Sequence, residues 1–148
     1  MTWIKSLRSD QRGATLVEFA IGATVFLTVM FAVLEFGRAL WVHNALTDAA
    51  RRGARYAVIH TAADADSVKN VVVYGDPAGG TQPVVTNLTT ANVNVTYSNF
   101  GLEGGTASVS ITGYQFQFVL PLVSTSIQMP SYTTTLTGES AGLIPPNL

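Results

Sequence analysis

Glu18 stands in the stretch RGATLVEFA, residues 12–20, four residues into the longest apolar run of the chain. An ionised carboxylate is costly inside a hydrocarbon layer, so an acid there calls for a positively charged partner or a place at the layer's edge. At the other end of the run Glu35 and Arg38 are three residues apart, a spacing that lets them pair on a helix. Further on, Asp48 precedes Arg51 and Arg52, and each such helical pair is worth about 0.2–0.5 kcal/mol. The other residues with chemical potential are sparse. His43 and His60 are the two histidines, far apart in the chain and without a carboxylate cluster at ligand spacing. Cysteine is absent, which removes thiolate metal sites, disulfides and a cysteine nucleophile. No G-x-S-x-G, phosphate-loop or dinucleotide-binding glycine pattern occurs. The glycine pairs at 79–80 and 104–105 lie in polar surroundings and suit turns. The sequon matches at Asn87 and Asn94 are short patterns common in Thr-rich chains and carry no weight. No catalytic residue, metal ligand or cofactor-binding group is expected, so the chain reads as a non-enzyme.

The charges that matter therefore sit on whatever element carries residues 14–60. From Phe19 to Leu34 no charged side chain occurs. Ala14 to Glu35 spans ~32 Å as a helix at ~1.5 Å per residue, and a bilayer core is ~30 Å thick. Residues 14–37 are thus expected to cross a membrane, with Glu35 and Arg38 near its far surface. A buried helix of a soluble protein is the alternative, but little else in the chain could cover so apolar a helix on every side. The basic leader 1–13 resembles the start of a secretory signal, yet the apolar helix runs on past the usual cleavage region without a Pro or a turn cluster. Loop charges do not orient the span, because Arg38, Arg51, Arg52 and Arg55 follow it. The short leader and the Thr-rich C-terminal part favour export of the latter.

The helix is expected to continue to about residue 60 and to reach ~70 Å. Beyond the membrane it becomes two-faced. Leu46, Ala49, Ala50, Gly53 and Ala57 fall on one side of a helical wheel, and Asp48, Arg51, Arg52 and Arg55 on the other. The first side is mostly Ala and Gly, so a partner can approach the backbone closely. The basic side reads as a solvated face or as a contact for lipid headgroups or an acidic neighbour.

After His60 the period shortens. Val71–Tyr74 reads as a short apolar strand closed by GDPAGG. Val93, Val95 and Tyr97 alternate, as do Val109 and Ile111. Across Gly113 the phase moves to Tyr114, Phe116, Phe118 and Leu120, which suggests a bulge or a strand break. Tyr132, Thr134 and Leu136 supply a last strand. Three or four antiparallel strands with one apolar face need a cover, and the small-residue side of the helix is the candidate. The expected class is α+β, a long N-terminal helix packed on a small antiparallel sheet. Its divisions are 1–13 as leader, 14–60 as helix and 61–148 as a β-rich head. The chain has 148 residues, 11% of them charged, with a net charge of −1 and a mean hydropathy of +0.31. That balance gives no reason to expect a nucleic-acid partner, and no small-molecule substrate is indicated.

Gly13 followed by ATLVE resembles the processing site of type IV pilin-like precursors, a basic leader ending in Gly before an apolar helix with Glu at its fifth position. The longer run RGATLVEFA…EFGRALWVHNALTDAARRGARYAV resembles the TadE-like family of minor pilins, or pseudopilins, of the bacterial tight-adherence pilus. The likeness is strong over 12–58 and weak beyond. It implies a prepilin peptidase cutting between Gly13 and Ala14 on the cytoplasmic side. It further implies a single-pass protein of the inner membrane with its head outside the cytoplasm. Glu18 would then pair with the new ammonium of Ala14 in an adjacent subunit. The implied partners are the peptidase, other pilin or pseudopilin subunits, the pilus assembly platform and inner-membrane lipid. A membrane-anchored periplasmic binding or sensing module is the competing expectation, and an uncleaved leader would favour it.

Overall fold

The computed structural model describes residues 11–99, 105–119 and 125–138. The leader up to Asp10 lies outside the described residues, as does Leu120. The first element is a single helix, α1, Gln11–Val58, 48 residues long. It ends two residues short of the expected boundary, because Ile59 and His60 close a tighter turn onto Tyr56 and Ala57. Along α1 the buried positions begin at Val42 and recur at Leu46, Ala49, Ala50, Ala54, Ala57 and Val58, a helical spacing that gathers them on one side. Gly53 lies among them.

The second helix, α2, Ala65–Tyr74, takes in the segment expected to be a strand. Val68, Val71 and Val72 recur at three- and four-residue steps and are buried, with Val73 beside them. A helical Val costs at most ~0.7 kcal/mol against Ala, whereas burying a Val side chain contributes ~1.5–3 kcal/mol. Packing therefore outweighs the β preference of the valine run. Gly75 stops the helix in a left-handed conformation, φ 79°, and donates its N–H to the carbonyl of Val71 at 3.0 Å. The head is consequently not purely β. An irregular stretch then crosses to the sheet, held by the Val84 N–H on the Val73 carbonyl at 2.8 Å and by buried Val85 and Leu88.

The strands are β1 (Val93–Ser98), β2 (Thr106–Ile111), β3 (Gln115–Gln117), β4 (Ser126–Gln128) and β5 (Tyr132–Thr137). They form two sheets rather than one: a three-stranded sheet in the order β1-β2-β5 and a separate β3-β4 hairpin. All pairings are antiparallel. In the larger sheet Val93, Ile111 and Tyr132 lie in one row, Val95, Val109 and Thr134 in the next, and Tyr97, Ala107 and Leu136 in the third. Because side chains alternate along each strand, these rows make one face, and that face turns toward α1 and α2. The phase change at Gly113 is a strand break: β2 ends at Ile111, Gly113 adopts φ 70°, and β3 belongs to the other sheet.

A Cβ placed on Gly53 would stand 2.3 Å from Cγ2 of Val72 and 3.3 Å from Cγ1 of Val109. Gly53 is thus the contact point of α1 with both α2 and the central strand. Gly53→Leu is expected to destabilise the head by ~1–3 kcal/mol through overpacking. Arg52→Ala, at an exposed position of the same turn, should cost no more than about 0.5 kcal/mol. Denaturant unfolding of the two variants beside the parent chain checks the difference.

Candidate assembly helix and its junction with the head

The N-terminal half of α1 touches little of its own chain. Leu16 is 70% exposed, Phe19 74% and Phe26 66%. The most apolar window of the helix has a mean hydropathy of 2.2, and none of it is buried. The described residues therefore leave the apolar half of α1 uncovered, unlike the core helix of a soluble protein. By length and composition α1 is able to cross a membrane. Within it Thr24 donates its hydroxyl to the Ala20 carbonyl and Thr28 donates to that of Thr24, each at 2.8 Å. These internal bonds satisfy the polar groups of the apolar stretch without water.

Glu18 projects from this uncovered part and meets no partner among the described residues. Gly13 and Ala14 lie in the first turn of α1 and are exposed. Among the described residues nothing comes within 4 Å of a Cβ built on Gly13, so they place no steric demand for glycine there. Gly13, Ala14 and Glu18 thus share one free end of a helix, about five to six turns from Glu35, where the helix meets the head.

The helix meets the head at Glu35 and Arg38. The Arg38 guanidinium donates to both carboxylate oxygens of Glu35, at 2.7 and 3.2 Å. A bidentate pair of this kind fixes the plane of the guanidinium. Arg38 also donates to the backbone carbonyl of Gln117 and stands 4.4 Å from the ring centre of Phe116. The Val119 backbone comes close to the Glu35 carboxylate. Phe116 is buried and packs edge-to-face on Phe118 with ring centres 5.2 Å apart. Two opposite charges on the helix therefore hold the β3-β4 hairpin through its backbone and an aromatic face. The sequence marks Glu35 and Arg38 as a pair, and the structure adds their hold on Phe116, Gln117 and Val119. The phase change at Gly113 was the available signal that the Phe116 segment leaves the main sheet.

Higher on α1, Leu46, Ala49, Ala50, Gly53 and Ala57 are all buried against the sheet and α2. On the opposite side Asp48, Arg51, Arg52 and Arg55 are exposed. The expected Asp48 pairs do not form: among the described residues the ion pairs are Glu35–Arg38 and Asp66–Lys69. At exposed positions the gain from pairing barely exceeds the entropy of holding two long side chains. The histidines have packing roles. His43 Nδ1 lies 3.0 Å from the Tyr132 hydroxyl, tying α1 to β5. His60 stacks on Tyr56 at 3.7 Å between ring centres and bonds the Tyr56 carbonyl. Burial pushes the Tyr132 hydroxyl above its ordinary pKa, so it remains a neutral phenol as it meets His43. No group of three His, Asp or Glu side chains among the described residues is placed to hold a metal.

Arg38→Ala removes the hold on Gln117 and Phe116 together and should ease local opening of the hairpin by ~1–2 kcal/mol. Hydrogen exchange at Phe118 and Val119 should quicken while exchange at Val109 stays near its parent rate. Equal rates at Val119 in the two proteins would mean that Arg38 does not brace the hairpin.

Comparison with known proteins agrees with the helix rather than the head. Residues 13–55 match the family described as TadE-like protein. No curated protein matches the chain, and no solved structure does. The matched stretch lies wholly within α1, running from the exposed glycine through Glu18, Glu35 and Arg38 to the buried Ala and Gly positions. Over residues 13–55 the N-terminal helix of this chain is thus similar to that of the TadE-like proteins.

Proposed function

We propose that the chain is a minor pilin or pseudopilin, a non-enzymatic subunit that assembles into or primes a tight-adherence pilus through α1. A prepilin peptidase cuts between Gly13 and Ala14 at the cytoplasmic face of the inner membrane, and the head stands on the other side. What carries this reading is the free end of α1: an uncovered apolar helix with Glu18 and no partner for it among the described residues. The ammonium created at Ala14 of an adjacent subunit meets that carboxylate as helices pack side by side. An opposite charge offsets the desolvation of a buried acid only when the two are held in direct contact.

No described residue comes within 4 Å of a Cβ built on Gly13, and glycine costs ~1 kcal/mol against Ala within a helix. A glycine that the chain's own packing does not require suits a requirement set by an enzyme that must approach the backbone closely. Gly13→Arg should therefore block cleavage while the protein still enters the membrane. Intact mass of the membrane form checks this. A parent chain that keeps residues 1–13 in cells carrying the peptidase would defeat the pilin-like reading in favour of a permanently anchored binding module.

Glu18→Ala separates processing from assembly. The variant should insert at least as well as the parent, since a charge leaves the apolar layer, and cleavage should persist. Recruitment by other pilin-like subunits should fall more than a hundredfold, because leaving one charge of a buried pair alone costs ~3–5 kcal/mol. Glu18→Gln should fall between. Crosslinking to neighbouring subunits, scored with processing and membrane level, reads the effect. Recruitment of Glu18→Ala at the parent level would mean that Glu18 simply lies among lipid headgroups.

A further inference from the structure

The β3-β4 hairpin has a direction as well as an attachment. Gln117 bonds at the level of Arg38, and the Val119 backbone comes close to the Glu35 carboxylate, one turn closer to the apolar half of α1. As β3 proceeds it therefore runs back along the helix toward the membrane-spanning segment. Glu35 lies ~32 Å from Ala14 along the axis, at the edge of a ~30 Å hydrocarbon layer. Arg38 stands only ~4.5 Å farther out, and Ile127, the cross-strand partner of Phe116, shares its level. At this level the hairpin leaves apolar side chains uncovered: Val119 is 72% exposed and Ile127 46%. Trp41 of α1, 59% exposed, stands ~9 Å beyond Glu35, within the headgroup zone that tryptophan favours. Gln115, Gln117 and Gln128 of the hairpin are exposed as well.

We propose that the β3-β4 hairpin is a lipid contact: Val119 and Ile127 rest at the boundary between acyl chains and headgroups, beside Trp41. The inference rests on residues 14–37 crossing the bilayer. The occupant of this surface is lipid because Val119 and Ile127 are exposed beside the uncovered apolar part of α1, at the depth where the span ends. The hairpin gives the head a second point of contact with the bilayer, off the helix axis, and so sets the rotation of α1 about its own axis. The sheet and the basic side of α1 are thereby held in a fixed direction relative to the membrane plane.

The chain contains no cysteine, so single replacements give unique labelling sites in the full-length protein. Val119→Cys and Ile127→Cys, spin-labelled and reconstituted in phospholipid vesicles, are compared with Phe26→Cys in the span and Thr96→Cys on the exposed side of β1. Collision with oxygen, which concentrates in lipid, is measured against collision with a water-soluble nickel chelate. Labels at 119 and 127 should favour oxygen, between the values at 26 and 96. Two labels on different strands guard against one replacement disturbing the hairpin. Labels at 119 and 127 as open to nickel as the one at 96, with 26 still in lipid, would overturn the hairpin contact and leave the anchor standing. Shielding of both from both reagents would mean that protein, such as a second copy of the chain, covers the surface, and would equally overturn it. A nickel-accessible label at 26 would remove the anchor and the hairpin contact together.

Discussion

A methyl group at position 53 would stand 2.3 Å from a methyl of Val72, so α1, α2 and β2 meet at a separation that only glycine permits. The head is arranged around that close approach. With Ala49, Ala50, Ala54 and Ala57 around it, α1 offers a nearly smooth side against which the valines of α2 and the rows of the sheet both lie. Large side chains on the helix would hold the sheet and α2 farther off and open space between them, at a cost that grows with the cavity. Instead the bulk comes from the other partners: Val68, Val72, Val109 and Ile111 are fully enclosed while the helix contributes mainly Leu46. The division of volume between smooth helix and branched strands keeps the packing dense.

The same helix has opposite surroundings at its two ends. Beyond Val42 its apolar residues are covered by its own chain, and before Glu35 they are not. Between the two lies a junction where charge, not apolar contact, joins helix and head. Arg38 and Glu35 satisfy each other and also the backbone of β3. Such a junction suits the border of a bilayer, where a purely apolar seam would gain little on the lipid side and a lone charge would be costly. Because α1 is continuous through this border, no linker separates its uncovered apolar part from the part that packs on the sheet.

What the sequence made legible follows from the strength of each pattern. The Ala and Gly side of α1 repeats over successive turns, and the alternations at Val93–Tyr97 and Tyr132–Leu136 each persist along a strand, so the helix face and the main sheet were readable. Val71–Val73 misled because branched residues in an unbroken row carry no period of their own. The helical signal lay in Val68 and in Gly75 just past the end. The hairpin was half legible: the phase change at Gly113 announced a break, but nothing local to Phe116 says that its partner is Arg38, far away in the chain. Asp48 shows the opposite error. Its spacing to Arg51 and Arg52 permits pairs that solvent makes worth too little to form. Glu18 stood out because its charge contradicts its apolar surroundings, and such a contradiction needs no knowledge of distant contacts, whereas Gly13 was marked only by its resemblance to a prepilin processing site.

Glycine recurs along α1, and the helix distinguishes its positions. At Gly53 the fold forbids a side chain; at Gly13, Gly22 and Gly37 nothing lies within 4 Å of where a Cβ would stand. Each interior glycine costs a soluble helix ~1 kcal/mol relative to Ala, a loss that Gly53 offsets by close packing within the head. The open positions have no such compensation inside the chain. Their compensation, if the helix is to hold its length, comes from what lies around it. In a bilayer no water competes for the backbone, and every N–H and C=O remains bound within the helix. There a glycine weakens the helix less, and its bare surface lets another helix approach. The open glycines all fall on the side of Glu35 and Arg38 where the described residues leave α1 uncovered, or between those two residues. The contrast between a glycine closed in by Val72 and those left bare therefore traces the same border as the ion pair, from an independent kind of residue.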